Sequence, residues 1–164
     1  MTFRCEWRDL AVQDEQETFV RLIGIKPSQN DFNFQLSEIA RQVMQANQEN
    51  YQKNGYEEPW CAYFAIENGQ LVGTCAFKTP PKNQQVEIAY FTFPGNEGRG
   101  VATRMAQELL KIAQAGNQPM RITAQTLPQI NASTTVLSNL GFTKTGSTVH
   151  SEDGEVWEWS RETR

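Results

Sequence analysis

No long apolar run occurs in this sequence, so no segment is expected to span a membrane. The opening MTFRCEWRDL carries charges within its first ten residues and does not read as a secretory leader. Basic residues are in the minority, 15 against 19 acidic ones, for a formal net charge of −4. They are scattered rather than gathered in a patch, which argues against nucleic acid as a partner. Cysteine is scarce and odd in number. Cys5, Cys61 and Cys75 form no CxxC pair, so neither a zinc site nor a disulfide framework is expected. Their apolar, strand-like surroundings suit buried thiols in a reducing compartment, and the expected location is cytoplasmic. Histidine occurs once, as His150 beside Ser151 and Glu152. With no G-x-S-x-G elbow elsewhere, it reads as a surface residue and not as part of a hydrolase triad.

What is present describes one globular domain over residues 1–164. Hydrophobic residues make up 38%, and nine Phe, four Trp and four Tyr supply bulky core material. Residues 3–8 alternate like a short strand. Asp14 is expected to cap a helix through EQETFVRLIG that Gly24 ends. Apolar positions at helical spacing predict a helix over 34–49. Residues 60–67 and 70–78 read as strands around Asn68-Gly69, a strong hairpin signal, and 85–93 as a third strand. A glycine-rich loop then opens a helix whose apolar residues include Val101, Met105, Leu109 and Ile112. A strand over 119–126, a short helix from Asn131 to Leu140 stopped by Gly141, and two closing strands around Asp153-Gly154 complete the chain. The strand–loop–helix–strand unit is a βαβ crossover, so its strands should run parallel. The expected fold is α/β: a mixed sheet in which an antiparallel meander precedes the crossover, with helices on both faces.

The loop Pro94-Gly95-Asn96-Glu97-Gly98-Arg99-Gly100 carries the chemistry. Between a strand and a helix start, free N–H groups and the helix dipole favour an anion, and glycines let backbone approach a phosphate closely. No Gly-Lys-Ser/Thr ending is present, which excludes a Walker loop. The glycine order is G-x-x-G-x-G rather than G-x-G-x-x-G, and the loop follows a meander, which argues against a dinucleotide-binding unit.

The segment VEIAYFTFPGNEGRGVATRMAQELL resembles the central motif of the GNAT acyltransferases, in which a strand is followed by Gln/Arg-x-x-Gly-x-Gly/Ala and a helix. Glu97-Gly98-Arg99-Gly100-Val101-Ala102 matches it, with Glu97 in place of the usual Gln or Arg. TLPQINASTTVLSNLGF resembles the family's Asn-x-x-Ser…Leu-Gly-Phe stretch, placing Asn131, Gly141 and Phe142. Gly73-Thr74-Cys75-Ala76-Phe77 and Glu87-Ile88-Ala89-Tyr90 are similar to the branch of ribosomal-protein N-terminal acetyltransferases.

The resemblance implies an N-acetyltransferase that takes its acetyl group from acetyl-CoA, needs no metal, and passes the group directly to a small-molecule or peptide amine. It implies that Glu97, Gly98, Arg99, Gly100, Val101 and Ala102 surround the pyrophosphate, mainly through backbone N–H groups, with Arg99 and Arg104 adding charge. It implies that the strand ending Tyr90-Phe91-Thr92-Phe93 offers main chain to the pantetheine arm, and that Asn131 touches the cofactor while also capping its helix. An acceptor ammonium must lose a proton before it attacks, and Glu87 is the acid on that strand. Relatives place a proton-donating Tyr where this chain has Leu137, which leaves Tyr90 as the candidate donor. The acceptor is expected near Phe32, Phe34, Tyr56 and the 147–156 segment. A homodimer is the expected assembly.

Overall fold

The computed structural model describes residues 18–163. The elements in chain order are β1 (Arg21–Gly24), α1 (Glu38–Asn54), β2 (Ala62–Glu67), β3 (Gln70–Phe77), β4 (Gln85–Thr92), α2 (Val101–Ala115), β5 (Arg121–Thr126), α3 (Ala132–Asn139), β6 (Thr143–His150) and β7 (Gly154–Glu162). Among the described residues the strands form one seven-stranded sheet in the order β1-β2-β3-β4-β5-β7-β6. Every neighbouring pair is antiparallel except β4 and β5, which α2 joins as the parallel crossover. No helix among these residues is long and apolar enough to cross a membrane.

Local chemistry accounts for most of the boundaries. Asn68 and Gly69 both take positive φ, 50° and 76°, as a two-residue turn matching strand twist requires, and Glu67 pairs with Gln70 across it. Helix α1 starts four residues later than the apolar spacing predicts, because the Ser37 side chain caps it by accepting from the Ala40 N–H. It also runs on to Asn54. Tyr51, in its last turn, is buried where its hydroxyl donates to the Ile25 carbonyl and accepts from the Ala62 N–H. The Asn131 carboxamide caps α3, and Gly141 follows its end at φ 81°.

The expected helix over 15–24 is corrected: Arg21–Gly24 is strand β1, paired with Tyr63–Ile66 of β2. A β2 edge with unpaired main-chain groups outweighs the weak helical preference of four residues. Asp14, Cys5 and the strand expected at 3–8 lie outside the described residues.

The sheet divides the core into two. On one face α2 and α3 pack Val101, Met105, Leu109 and Leu137 against Val72, Cys75, Ile88 and Ile122. On the other face α1 packs Ala40 and Tyr51 against Ala62 and Phe64. Helices on both faces match the expectation, and the two faces acquire different chemistry at β4.

Candidate active site

Strand β4 has two neighbours that keep it company for different lengths. Its register with β3 runs to Thr92↔Gly73. Its register with β5 runs only from Gln85↔Arg121 to Glu87↔Thr123. The Lys78 N–H donates to the Glu87 carbonyl and the Phe93 N–H to the Val72 carbonyl, each at 2.9 Å. Main chain at Glu87, Ala89, Phe91 and Phe93 therefore turns towards β3, and that of the residues between them turns towards β5. The Gln84 carbonyl, which accepts from the Arg121 N–H at 2.8 Å, belongs to the second set. Beyond Glu87, β5 leaves β4, while its other edge stays paired with β7 from Arg121 to Thr126. Main-chain groups of Tyr90 and Thr92 then face an opening between two diverging strands. An extended ligand bearing amides would complete the interrupted ladder there. Of the four residues expected to offer main chain to it, Tyr90 and Thr92 are so placed. The amide of Phe93 is held by Val72, and Phe91 turns its main chain towards β3.

The glycine loop lies at the end of the same strand. Gly95, Gly98 and Gly100 have φ of 87°, 73° and 75°, where side chains are disfavoured. Gly100 is the N-cap of α2 and makes no side-chain cap bond. The first bond across the loop–helix junction runs from the Arg104 N–H to the Gly100 carbonyl, so the N–H groups of Val101, Ala102 and Thr103 precede the ladder. With the helix dipole behind them, these donors are disposed to hold an anion. A Cβ at Gly98 would meet nothing within 4 Å, which leaves the outside of the loop open to a ligand.

The loop's side chains do something the sequence does not announce. Glu97 folds back, and its Oε2 accepts from the Gly95 N–H at 2.7 Å. It holds the loop and does not grip an anion. Arg104 and Arg99, both expected to point at phosphate, converge on Glu67 at the end of β2. Arg104 Nε and Nη2 lie 2.9 and 2.7 Å from Glu67 Oε1, and Arg99 Nη2 lies 3.6 Å from Oε2. Arg99 also donates to Asn96 Oδ1 at 3.0 Å.

On the α1 face, β3, β4 and α1 enclose an open groove of about 370 Å³. Val43 and Ala46 form its helical wall, Ala76 and Ala89 its floor, and Asn50 and Lys78 one end. Glu87 shares this face with Ala89 and Phe91, at alternate positions of β4. Its Oε1 lies 2.5 Å from Lys78 Nζ, and its side chain is 29% exposed. On its other side Glu87 borders a polar hollow with Thr123 and Glu158. The carboxylate thus stands where the β4–β5 register ends, beside the groove. Phe32 and Phe34, expected at the acceptor site, pack their rings on Phe64 and line a separate hollow beside β1. Tyr56 is turned to Tyr51 and Glu58.

Tyr90 points the opposite way, towards α3, where its hydroxyl donates to the Ser133 carbonyl at 3.1 Å. Burial pushes its phenol up to about 12, which keeps it protonated at neutral pH. Glu87 and Tyr90 therefore stand on opposite faces of one strand, with the opening at their level. Asn131 Oδ1 accepts from the Thr134 N–H at 3.1 Å, and Thr134 Oγ1 accepts from the Asn131 N–H at 2.9 Å, a reciprocal cap that leaves the carboxamide NH2 uncommitted to it. Leu137 is fully buried in the core. Cys75 is 1% exposed, and burial pushes its thiol well above the usual range. His150 sits on the surface near Asp153.

Sequence reasoning missed Glu67, Lys78 and the α1 groove. A polar residue closing a buried strand was the available sign for Glu67. Nothing local marks the other two.

The family model described as an acetyltransferase (GNAT) domain matches residues 7–143 of the chain. No curated protein matches it. Among solved structures, RimL, a ribosomal L7/L12 alpha-N-protein acetyltransferase in complex with coenzyme A, superimposes with a TM-score of 0.66 at 19% identity, over 88% of this chain and 94% of that one. The acetyltransferase from Salmonella typhimurium that modifies the N-terminal serine of L7/L12 gives 0.64 at 19% identity, over 89% and 96%. The microcin C7 self-immunity acetyltransferase MccE, in complex with acetyl-CoA and AMP, gives 0.60 at 16% identity, over 75% and 69%. At these identities the likenesses establish the fold.

Proposed function

Because the chain belongs to the acetyltransferase (GNAT) family, we propose that it moves the acetyl group of acetyl-CoA to a primary amine by direct attack. The observation that carries this reading is the end of the β4–β5 register at Glu87↔Thr123, next to a helix N-terminus without a side-chain cap. A donor with a diphosphate at one end and an amide-bearing arm at the other fits both features in one line. The diphosphate would meet the N–H groups at the start of α2, with Gly98 and Gly100 allowing close approach. The arm would lie along Tyr90 and Thr92. Asn131, through its uncommitted NH2, would contact the donor as well as cap α3.

The acceptor would enter from the α1 groove, on the face that carries Glu87. Glu87 takes a proton from the ammonium, directly or through a water, and the free amine attacks the thioester carbonyl carbon. A main-chain N–H of β4 facing the opening donates to the carbonyl oxygen as negative charge grows on it. The C–S bond then breaks, and the nitrogen gives up its second proton to water or to the departing sulfur as the amide forms. A free thiol has a pKa of about 8.5, so the thiolate is a tolerable leaving group without an enzyme acid. Tyr90, protonated and on the other face, is the residue that would supply a proton. Cys75, buried with its thiol held protonated, is unsuited to an acyl-enzyme.

The acceptor we propose is a peptide or protein α-amine. Support comes from the similarity of Gly73–Phe77 and Glu87–Tyr90 to the ribosomal-protein branch and from fold neighbours that act on L7/L12. The free buried thiols Cys61 and Cys75 support a cytoplasmic setting. A second reading, a CoA-binding module without turnover, draws support from the buried Leu137 at the family's tyrosine position and from the Lys78 ammonium already on Glu87.

Melting curves test the donor. Acetyl-CoA at about a hundred times its Kd should add roughly 2.7 kcal/mol of stability, while NAD adds nothing. No rise with acetyl-CoA removes the proposal. A rise, with no acetylated product across peptide and small amines, selects the module instead.

A further inference from the structure

Glu67 is a carboxylate with 5% of its surface exposed, at the end of a strand that takes no part in the proposed chemistry. An ion so placed is costly unless it is paired and hydrogen-bonded. Its partners both belong to the anion site: Arg99 in the glycine loop, and Arg104 in the first turn of α2. The two contacts differ in kind. Arg104 is tightly bound, with two nitrogens on one carboxylate oxygen at 2.9 and 2.7 Å, and is 21% exposed. That grip orients the guanidinium plane and leaves Nη1 beside the helix N-terminus, 3.0 Å from where a Cβ on Gly100 would sit. Arg99 meets Glu67 only at 3.6 Å, donates to Asn96 Oδ1 at 3.0 Å, and is 52% exposed. A solvated contact of that length is weak and exchangeable.

The charges make the arrangement purposeful. Two guanidinium groups against one carboxylate leave one positive charge beneath the uncapped start of α2. Without Glu67 the guanidinium of Arg104 would lose the carboxylate that fixes its orientation at the loop. Without Arg104 the buried carboxylate would repel any phosphate brought to the loop.

On the reading that the donor is acetyl-CoA, we infer that Glu67 is a positioning residue for the donor's diphosphate. It locks Arg104 with one nitrogen facing the start of α2, and it parks Arg99 on a contact that the guanidinium exchanges for phosphate when the donor binds. Gly100 is required at its position partly because that nitrogen occupies the space of a side chain.

The test separates diphosphate recognition from general damage. Glu67→Gln keeps the size and one acceptor oxygen for Arg104 but removes the charge. Its Kd for CoA, measured by titration without turnover, should rise about tenfold, the loss of one charge-assisted hydrogen bond's worth of affinity. The KM for acetyl-CoA should rise with it while kcat holds. With S-acetyl-N-acetylcysteamine, an acetyl thioester lacking the diphosphate, kcat/KM should be unchanged from wild type. Arg104→Lys keeps the ion pair but loses the fork. It should show the same donor-selective defect, and it serves if Glu67→Gln does not fold. Arg99→Gln should also weaken CoA alone. Equal losses on both donors, or an unchanged Kd for CoA in the folded variants, would overturn the inference. Wild-type protein that binds CoA but acetylates nothing would remove the proposed activity and leave this inference standing on the titration.

Discussion

Lys78, one residue past the end of β3, sets its ammonium 2.5 Å from the Glu87 carboxylate, at the point where β4 loses β5 as a partner. The pair stands between the α1 groove and the polar hollow beyond it, so on the proposed reading an acceptor ammonium arriving in the groove displaces the lysine to reach Glu87. Glu87→Gln should therefore lower kcat by roughly 10²- to 10⁴-fold, the usual contribution of a positioned general base. Stabilisation by CoA in a melting curve should persist. Unchanged turnover would take Glu87 out of the mechanism.

Gly73 stands opposite Thr92, and a Cβ there would lie 2.7 Å from the Phe91 carbonyl oxygen and 3.0 Å from Met105. The methionine can move; the backbone oxygen of a paired strand cannot without shifting β4. Gly73→Ala should cost about 1–3 kcal/mol, the usual penalty of overpacking, measured as a shift in denaturant midpoint. Because β4 also borders the opening proposed for the donor, acetyl-CoA affinity should fall as well.

Leu137 is fully buried against the α2–α3 core. Leu137→Ala should cost about 2–5 kcal/mol. Turnover per folded molecule should change little, because this side chain has no proton to give. A large fall in kcat with stability intact would contradict that assignment.

The phenols of Tyr51 and Tyr90 are each raised by burial to about 12 from the ordinary 10. A raised folded-state pKa means that stability is complete below pH 10 and declines as pH rises from 10 through about 12, where the unfolded chain ionises first. Urea titrations across that window should show the decline. Tyr90→Phe should make it shallower. A flat profile would show that neither phenol is held in its neutral form.

Direct attack predicts that no acetyl group stays on the protein. After incubation with acetyl-CoA and no amine, the intact mass should be unchanged. Acetylation mapped to Cys75 would replace the single displacement with a two-step route.

Features written in neighbouring residues were legible in advance. Asn68-Gly69 announces a turn because few residues accept positive φ. Gly95 to Gly100 announces a tight loop opening a helix, because its three glycines accept positive φ. Asn131 announces a cap because its carboxamide reaches the Thr134 N–H three residues on. Apolar spacing marked α2 for the same reason: the contacts that decide these outcomes lie within a few residues of one another.

Other features join residues that the chain keeps far apart. RLIG at 21–24 became a strand because β2 offered it a partner some forty residues downstream. Glu67 meets Arg104 across a separation of 37 residues. Lys78 finds Glu87, and Tyr90 finds Ser133, through strand register and helix packing. Above all, β4 is an ordinary apolar strand in sequence. It becomes a candidate donor site because β5 pairs with it for three residues and then diverges, while keeping β7 on its other edge throughout. A residue's own chemistry sets what it can bond. Which partner it meets is set by the packing of the whole sheet, where hydrophobic burial on two faces outweighs any local preference.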